Sequence, residues 1–450
     1  MLERRKKRWF LSQLQLIALG FVIMILVGAV LLTLPISSKE GHWTAFLPAL
    51  FTATSASCVT GLVVVDTQTY WSHFGQVVIL ILIQIGGLGF ISIGYFFSIM
   101  LRKKIDLRGR GLLQEITNSL QIGGIVKLLR KIILGTALIE GSGALLLSIR
   151  FVPVFGLVKG IWYGIFHSIS AFCNAGFDLM GSHSGPYSSL ISFGEDPLIN
   201  IVIGLLIVLG GIGFMVWDDV TRKRWHFKRY RLHTKMVLTF TFVLLFGGGI
   251  LFFITESRHA FLGMDFQGKV LASWFASVTT RTAGFNSTDM GAYSPAGKFL
   301  SCILMFIGGS PGSTAGGIKT TTLLVLLLHV KAYISRSPSI NIFGRRIGEE
   351  GVRTAASIAT LNLTLVLTAT YILAVIEPAS MIDILVETTS AMGTVGMTVG
   401  ITRDLHSISK IVLILLMYFG RVGSLSFAMG FTQNVKVAKV RLPKEEISVG

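Results

Sequence analysis

The sequence predicts an all-α membrane protein in which one unit is used four times. The unit is a spanning helix, a pore loop on a short half-helix, and a second spanning helix. Four copies give eight transmembrane helices and four re-entrant half-helices around one pseudo-fourfold pore. Three observations predict this. Apolar stretches of about 20 residues recur, short glycine-bearing strings return at near-equal intervals, and basic residues cluster in alternate connections. The chain of 450 residues is 52% hydrophobic and 14% charged, with a mean hydropathy of +0.71. Soluble domains keep roughly 25% of their residues charged, so this composition belongs in lipid.

The first apolar stretch, residues 11–34, is long enough to cross a hydrocarbon core of roughly 30 Å. No cleavage site follows it, so it reads as a retained helix and not a signal peptide. Of the 40 Lys and Arg residues, 29 lie in five places: 4–8, 102–131, 222–235, 331–353 and 436–444. Two apolar spans separate each cluster from the next, which places the clusters and both termini in the cytoplasm. The net charge of +18 is thereby a topology signal and not the footprint of a nucleic-acid-binding protein. Cys58, Cys173 and Cys302 lie in or beside apolar segments without CxxC or Cys/His spacing, so neither a disulfide framework nor a zinc site is indicated.

Four strings align on a glycine: SASCVTGL, SAFCNAGF, SVTTRTAGF and SAMGTVGM, with Gly61, Gly176, Gly284 and Gly396 in register. The glycines are 115, 108 and 112 residues apart, and the third string is one residue longer after its serine. A second marker follows each string: IGGLGF from Ile85, LGGIGF from Leu209, IGGSPG from Ile307 and FGRVGS from Phe419. The apolar segments leading into the strings, such as 43–54 and 160–170, are too short to span a bilayer and suit re-entrant helices. The chain divides into a basic tail (1–10), repeats at 11–104, 105–222, 223–335 and 336–436, and a second tail (437–450).

A dehydrated cation needs oxygen ligands, and rings of backbone carbonyls supply them. Aiming successive carbonyls inward requires backbone angles that glycine tolerates. The residues preceding the glycines complete the candidate filter: Val59, Thr60 and Gly61; Asn174, Ala175 and Gly176; Thr282, Ala283 and Gly284; Thr394, Val395 and Gly396. Half-helices ending at these strings would turn their negative C-terminal ends toward the same axis and favour cations. The opposing reading, in which the glycines only pack helices, does not account for four matched positions after four matched half-helices.

On these strings, and on GGSPGSTAGGIKT at 308–320, the chain resembles the Trk/Ktr/HKT superfamily of potassium transporters, most closely the KtrB-type membrane subunit. The resemblance runs from the first helix to about residue 435. It implies potassium as the transported ion, because glycine at the first filter position goes with potassium preference in that family and serine with sodium transport. It also implies a bacterial plasma-membrane protein and a homodimer on a cytosolic ring of KtrA-type subunits. Nucleotide is expected on that partner, with no cofactor in this chain.

The 308–320 segment interrupts an apolar stretch running from about 299 to 330. Gly308, Gly309, Ser310, Pro311, Gly312 and Ser313 are followed by Thr314, Ala315, Gly316 and Gly317, a composition that opposes continuous helix. Unwound, it would lie just below the filter and obstruct the path; the resemblance implies a gating loop. It is not a phosphate-binding loop, because Ile318 displaces Lys319 by one position and no strand precedes it. Arg421 reads as a pore-facing charge touching the loop carbonyls, with a purely structural hydrogen-bond donor as the alternative. Lys319 reads equally as part of the gate or as a side chain snorkelling to the interface. Glu140 and Glu387 are candidate coupling sites or loop supports, and Asn174 and Arg281 are expected to bond to loop backbone.

The basic loops at 102–131 and 222–235, with Trp225 and Tyr230, offer a docking face, and anionic lipid is the competing explanation for their charge. HExxH, serine–histidine pairs and carboxylate pairs placed for acid–base work are absent from the sequence, so an enzyme is not indicated. A channel-like potassium pathway and a sodium- or proton-coupled symporter using the same pore both fit the residues.

Overall fold

The computed structural model of the chain describes residues 13–89, 125–224, 226–423 and 445. The N-terminal tail, the 436–444 cluster, Trp225 and most of the 102–131 loop lie outside the described residues. The rest is almost entirely helical and repeats one order four times. The first stretch holds α1 (Gln13–Thr33), α2 (Phe46–Ser57) and α3 (His73–Leu88). The second holds α4 (Ile125–Phe155), α5 (Leu157–Phe172), α6 (Pro197–Gly211) and α7 (Phe214–Lys223). The third holds α8 (Leu232–Glu256), α9 (Phe266–Thr279), α10 (Pro295–Phe306) and α11 (Thr320–Ile334). A small hairpin of β1 (Ile340–Ile342) and β2 (Arg345–Ile347) leads into α12 (Glu349–Ile376), α13 (Met381–Gly393) and α14 (Ser407–Val422).

Among the described residues, four helices are long and apolar enough to cross a membrane: α1, α4, α8 and α12. A fifth span is possible if α6 and α7, which meet at 96°, count as one. Exposed Val30, Leu138, Ile254 and Val375 on the four long helices face outward, where hydrocarbon removes the cost that water would impose. The short helices α2, α5, α9 and α13 are 12, 16, 14 and 13 residues long. Two of them depart from the sequence-based limits: α2 starts three residues later and α5 three residues earlier, and both end later than expected, directly against the glycine strings.

The turn chemistry explains where the later helices begin. The Ser72, Asp196 and Ser294 side chains accept backbone N–H groups at the starts of α3, α6 and α10, with proline at the first position of α6 and α10. Buried Glu256, the last residue of α8, ties that helix to α10 by accepting from the Ser294 N–H (3.1 Å) and Ser294 Oγ (2.6 Å). Replacing Glu256 with alanine should strand that N–H group and cost about 2 kcal/mol. The expected result is a lower melting temperature in detergent, and an unchanged melt would contradict this role for the carboxylate.

The α6–α7 bend is one instance of a general feature. In three repeats the fifth residue of the marker is a left-handed glycine just after the second helix, Gly89, Gly213 and Gly423 with φ of +84°, +96° and +93°; in the third, α10 already ends at Phe306 and the left-handed glycine is Gly312, the sixth residue, with φ of +67°. A side chain would resist that left-handed backbone. Sequence reasoning singled out the interruption in the third repeat alone; the described residues also show one between α6 and α7, and a left-handed glycine directly after α3 and α14. Tyr230 also departs from expectation. It is buried, its hydroxyl donating to the Arg224 carbonyl, so it cannot anchor a docking partner.

Candidate functional site

The four glycine strings come together at the ends of α2, α5, α9 and α13. A Cβ built on Gly61 would run into the Ala175 carbonyl oxygen, one on Gly176 into Ala283, one on Gly284 into Val395, and one on Gly396 into Thr60. The same atoms would lie 2.9–3.2 Å from the next glycine's Cα in each case. The series runs from the first repeat to the fourth and back to the first, so the four strings close around a common axis. All four glycines also line one outward cavity, together with Asp66, Asp178, Thr398 and Arg403.

Each string holds a second left-handed residue two places before its glycine. Val59, Asn174, Thr282 and Thr394 have φ of +58°, +59°, +69° and +50°, while the residues between them and the glycines do not. Alternating handedness turns successive carbonyls toward the same side. Only Asn174 is a residue type that tolerates this conformation; β-branched Val59, Thr282 and Thr394 are strained in it. No compositional signal marks these positions, and sequence reasoning missed their conformation.

Side chains hold the strings in two ways. Ser55 and Ser390 Oγ each accept from the string glycine N–H, of Gly61 and Gly396, at 3.0 Å. Ser170 and Thr279 instead donate to the carbonyl one residue beyond the glycine, of Phe177 (2.8 Å) and Phe285 (2.7 Å). The extra residue of the third string is thereby absorbed: Thr279 does the holding, and Ser277, the serine aligned by sequence, bonds to the Leu244 and Leu245 carbonyls of α8. His167 Nδ1 donates to the Tyr163 carbonyl (2.7 Å), and its Nε2 accepts from Leu179 N–H (3.3 Å), fixing the loop beyond the second string.

Asn174 behaves as expected. Its amide donates to the Arg281 carbonyl and to Thr282 Oγ1, both at 3.3 Å, linking the second and third strings. Arg281 does not, because its buried Nε has no hydrogen-bond partner; its contribution is the main-chain carbonyl that Asn174 holds. Glu387 accepts from Thr398 and from Thr402 (2.7 Å), bracing the loop after the fourth string. Glu140 accepts from Gln84 at 3.2 Å and lies beside Cys173 at the end of α5. All three cysteines are buried and free.

Beneath the strings, residues 308–319 form a loop between α10 and α11, seated against the second and fourth repeats. Ser310 and Thr314 N–H groups donate to the Gly211 (2.9 Å) and Gly210 (3.2 Å) carbonyls, and Phe214 N–H returns to Gly312 (2.8 Å). Thr314 Oγ1 reaches Asn174 Oδ1 (3.0 Å), which joins the loop directly to the second string. A Cβ on Gly316 would strike the Thr394 side chain, and one on Gly317 would lie 3.1 Å from the Gly393 carbonyl oxygen in the fourth repeat. Pro311 and Ser313 form the outer bend, Ser313 donating to the Ser310 carbonyl at 2.7 Å. Gly308 lies against the Gly316 carbonyl, Gly309 and Ala315 are in contact, and Ser310 meets Thr320 through their hydroxyls at 3.0 Å. Lys319 donates to the Ala315 carbonyl (2.8 Å), so it closes the loop and does not snorkel to an interface.

The markers explain how this fits together. Gly86, Gly210 and Gly420 lie directly against the carbonyls of Ser57, Phe172 and Met392, each four residues before the glycine of its string. Backbones meet there at a distance that no side chain allows. The next marker position is Gly87, Gly211 or Gly309 in three repeats and Arg421 in the fourth. Arg421 donates to the Thr314 carbonyl in the loop and to the Gly86 and Gly87 carbonyls of the first repeat. One side chain therefore bridges three repeats beneath the strings.

The family profile described as TrkH, cation transport protein, matches residues 14–439. The potassium/sodium uptake protein NtpJ of Enterococcus hirae is 43% identical over all of this chain and 99% of its own length. Ktr system potassium uptake protein B of Bacillus subtilis is 42% identical over 97% of this chain and 96% of its own. The solved potassium transporter TrkH of Vibrio parahaemolyticus superposes with a TM-score of 0.72 over 95% of this chain and 87% of its own, at 16% identity, and so shares the fold. With the profile and the relatives covering nearly its whole length, the chain belongs to the TrkH family of cation transport proteins, as a multi-pass membrane transporter and not an enzyme.

Proposed function

We propose that the chain is the pore-forming membrane subunit of a bacterial potassium-uptake system. The four strings ending at Gly61, Gly176, Gly284 and Gly396 are its selectivity filter, and the 308–319 loop with Arg421 is its gate. The observation that carries this reading is the closed cyclic contact of the four glycines with one another's preceding carbonyls. A ring of main-chain oxygens in a site walled by the ends of four half-helices suits a weakly hydrated monovalent cation without a full charge to trap it. The full arrangement is then four spanning helix–half-helix–spanning helix units around one pore, with basic connections in the cytoplasm.

The names of the Enterococcus and Bacillus relatives, which concern potassium uptake, support potassium as the substrate. The Ktr system name supports a second, cytosolic component, which we assign to a nucleotide-binding ring beneath a homodimer of this chain. Its docking face takes in the described part of the 222–235 loop, where exposed Phe227 replaces Tyr230 as the aromatic anchor. In liposomes holding the full chain, potassium influx driven by membrane potential should proceed without sodium or a pH gradient. A strict requirement for either gradient would replace the channel-like pathway by a coupled symporter.

A further inference from the structure

Below the loop, α11 runs 15 residues to Ile334. At 1.5 Å per residue, a helix starting near mid-membrane covers the roughly 15 Å to the headgroups in about ten residues, at His329. Just there, a cavity of about 380 Å³ opens between the end of α11, the β1–β2 hairpin and the start of α12. The hairpin is well anchored. Its register pairs Ile340 with Ile347, and Phe343 at its tip packs on Phe227. The cavity walls combine apolar Ala332, Ile340 and Val352 with Arg346 and Arg353. Both arginines are exposed, and neither is ion-paired among the described residues. One carboxylate, Glu349, shares that lining. Tyr333, 82% exposed, sits at the same level, as an interfacial aromatic does.

We propose that this cavity holds the headgroup of an anionic phospholipid of the cytoplasmic leaflet, its phosphate on Arg346 and Arg353 and its acyl chains along α11. Guanidinium groups match phosphate oxygens in pairs, and basic pockets at the cytoplasmic ends of membrane helices recognise such headgroups. The placement takes the orientation proposed above, but binding in detergent does not depend on orientation, so the two can fail separately.

The test uses the full-length protein in neutral detergent, with bound lipid counted by native mass spectrometry. Phosphatidylglycerol should be retained at least about tenfold better than phosphatidylcholine, and inorganic phosphate at equal concentration should not displace it. R346A/R353A should lose that preference, R346K/R353K should keep part of it, and K228A/R229A on the neighbouring surface should keep all of it. Melting temperatures in lipid-free detergent should agree among the variants, since the altered side chains are exposed. Equal retention of the two lipids, displacement by phosphate, an unaffected R346A/R353A, or equal loss in K228A/R229A would each overturn the assignment.

Discussion

Gly61→Ser should reduce the preference for potassium over sodium by about tenfold, a difference of ~1.4 kcal/mol between the two ions in the filter. The reason lies in the neighbouring repeat. Gly61 has φ +94°, where a side chain is strained, and its Cβ would occupy the place of the Ala175 carbonyl oxygen. Serine therefore displaces an oxygen of the second string as well as distorting its own. Because the contacts run cyclically, the same substitution at Gly176, Gly284 or Gly396 should have an effect of similar size. The measurement is the shift in reversal potential, or the ratio of potassium to sodium influx, in liposomes at matched protein density. Retained selectivity in a well-folded Gly61→Ser protein would mean that these carbonyls do not discriminate between the ions.

Arg421→Ala should raise resting potassium flux several-fold, and so should removal of residues 312–315. Two effects of the arginine act in the same direction. It pins the loop by bonding the Thr314 carbonyl while its other amino group holds Gly86 and Gly87. It also sets a positive charge beneath the proposed filter, where repulsion of a cation about 9 Å away is on the order of 2 kcal/mol at an effective dielectric of 20. Arg421→Lys separates the two, since lysine keeps the charge but lacks the planar fork that spans two acceptors. If lysine restores the low resting flux, charge is the larger effect; if it leaks like alanine, anchoring is. Lower flux in the alanine variant, with the protein folded, would show that Arg421 and the loop do not obstruct the path.

Much of this site was legible before any coordinates. The near-equal spacing of four glycine strings pointed to a shared axis, and the clash of glycine and proline with helix identified 308–320 as a break. The placement of Arg421 against that loop followed from the cost of a lone charge inside a membrane. Other features left no trace in residue type. Val59, Thr282 and Thr394 give no hint that they are left-handed, because β-branched residues avoid that conformation unless the surrounding contacts impose it. Nor does the third string show by residue type which hydroxyl holds it: its serine, Ser277, bonds to α8, and the turn of the helix brings Thr279 to the Phe285 carbonyl.

The sequence by itself determined the membrane class, the fourfold repeat and the glycines on which the proposed filter rests, because hydropathy and backbone permissiveness are properties of single residues and their spacing. Tertiary structure alone decided which string adjoins which and that Arg421 ties three repeats together. Those are relations between segments more than 100 residues apart, set by the close approach of one backbone to another, and no local pattern encodes them.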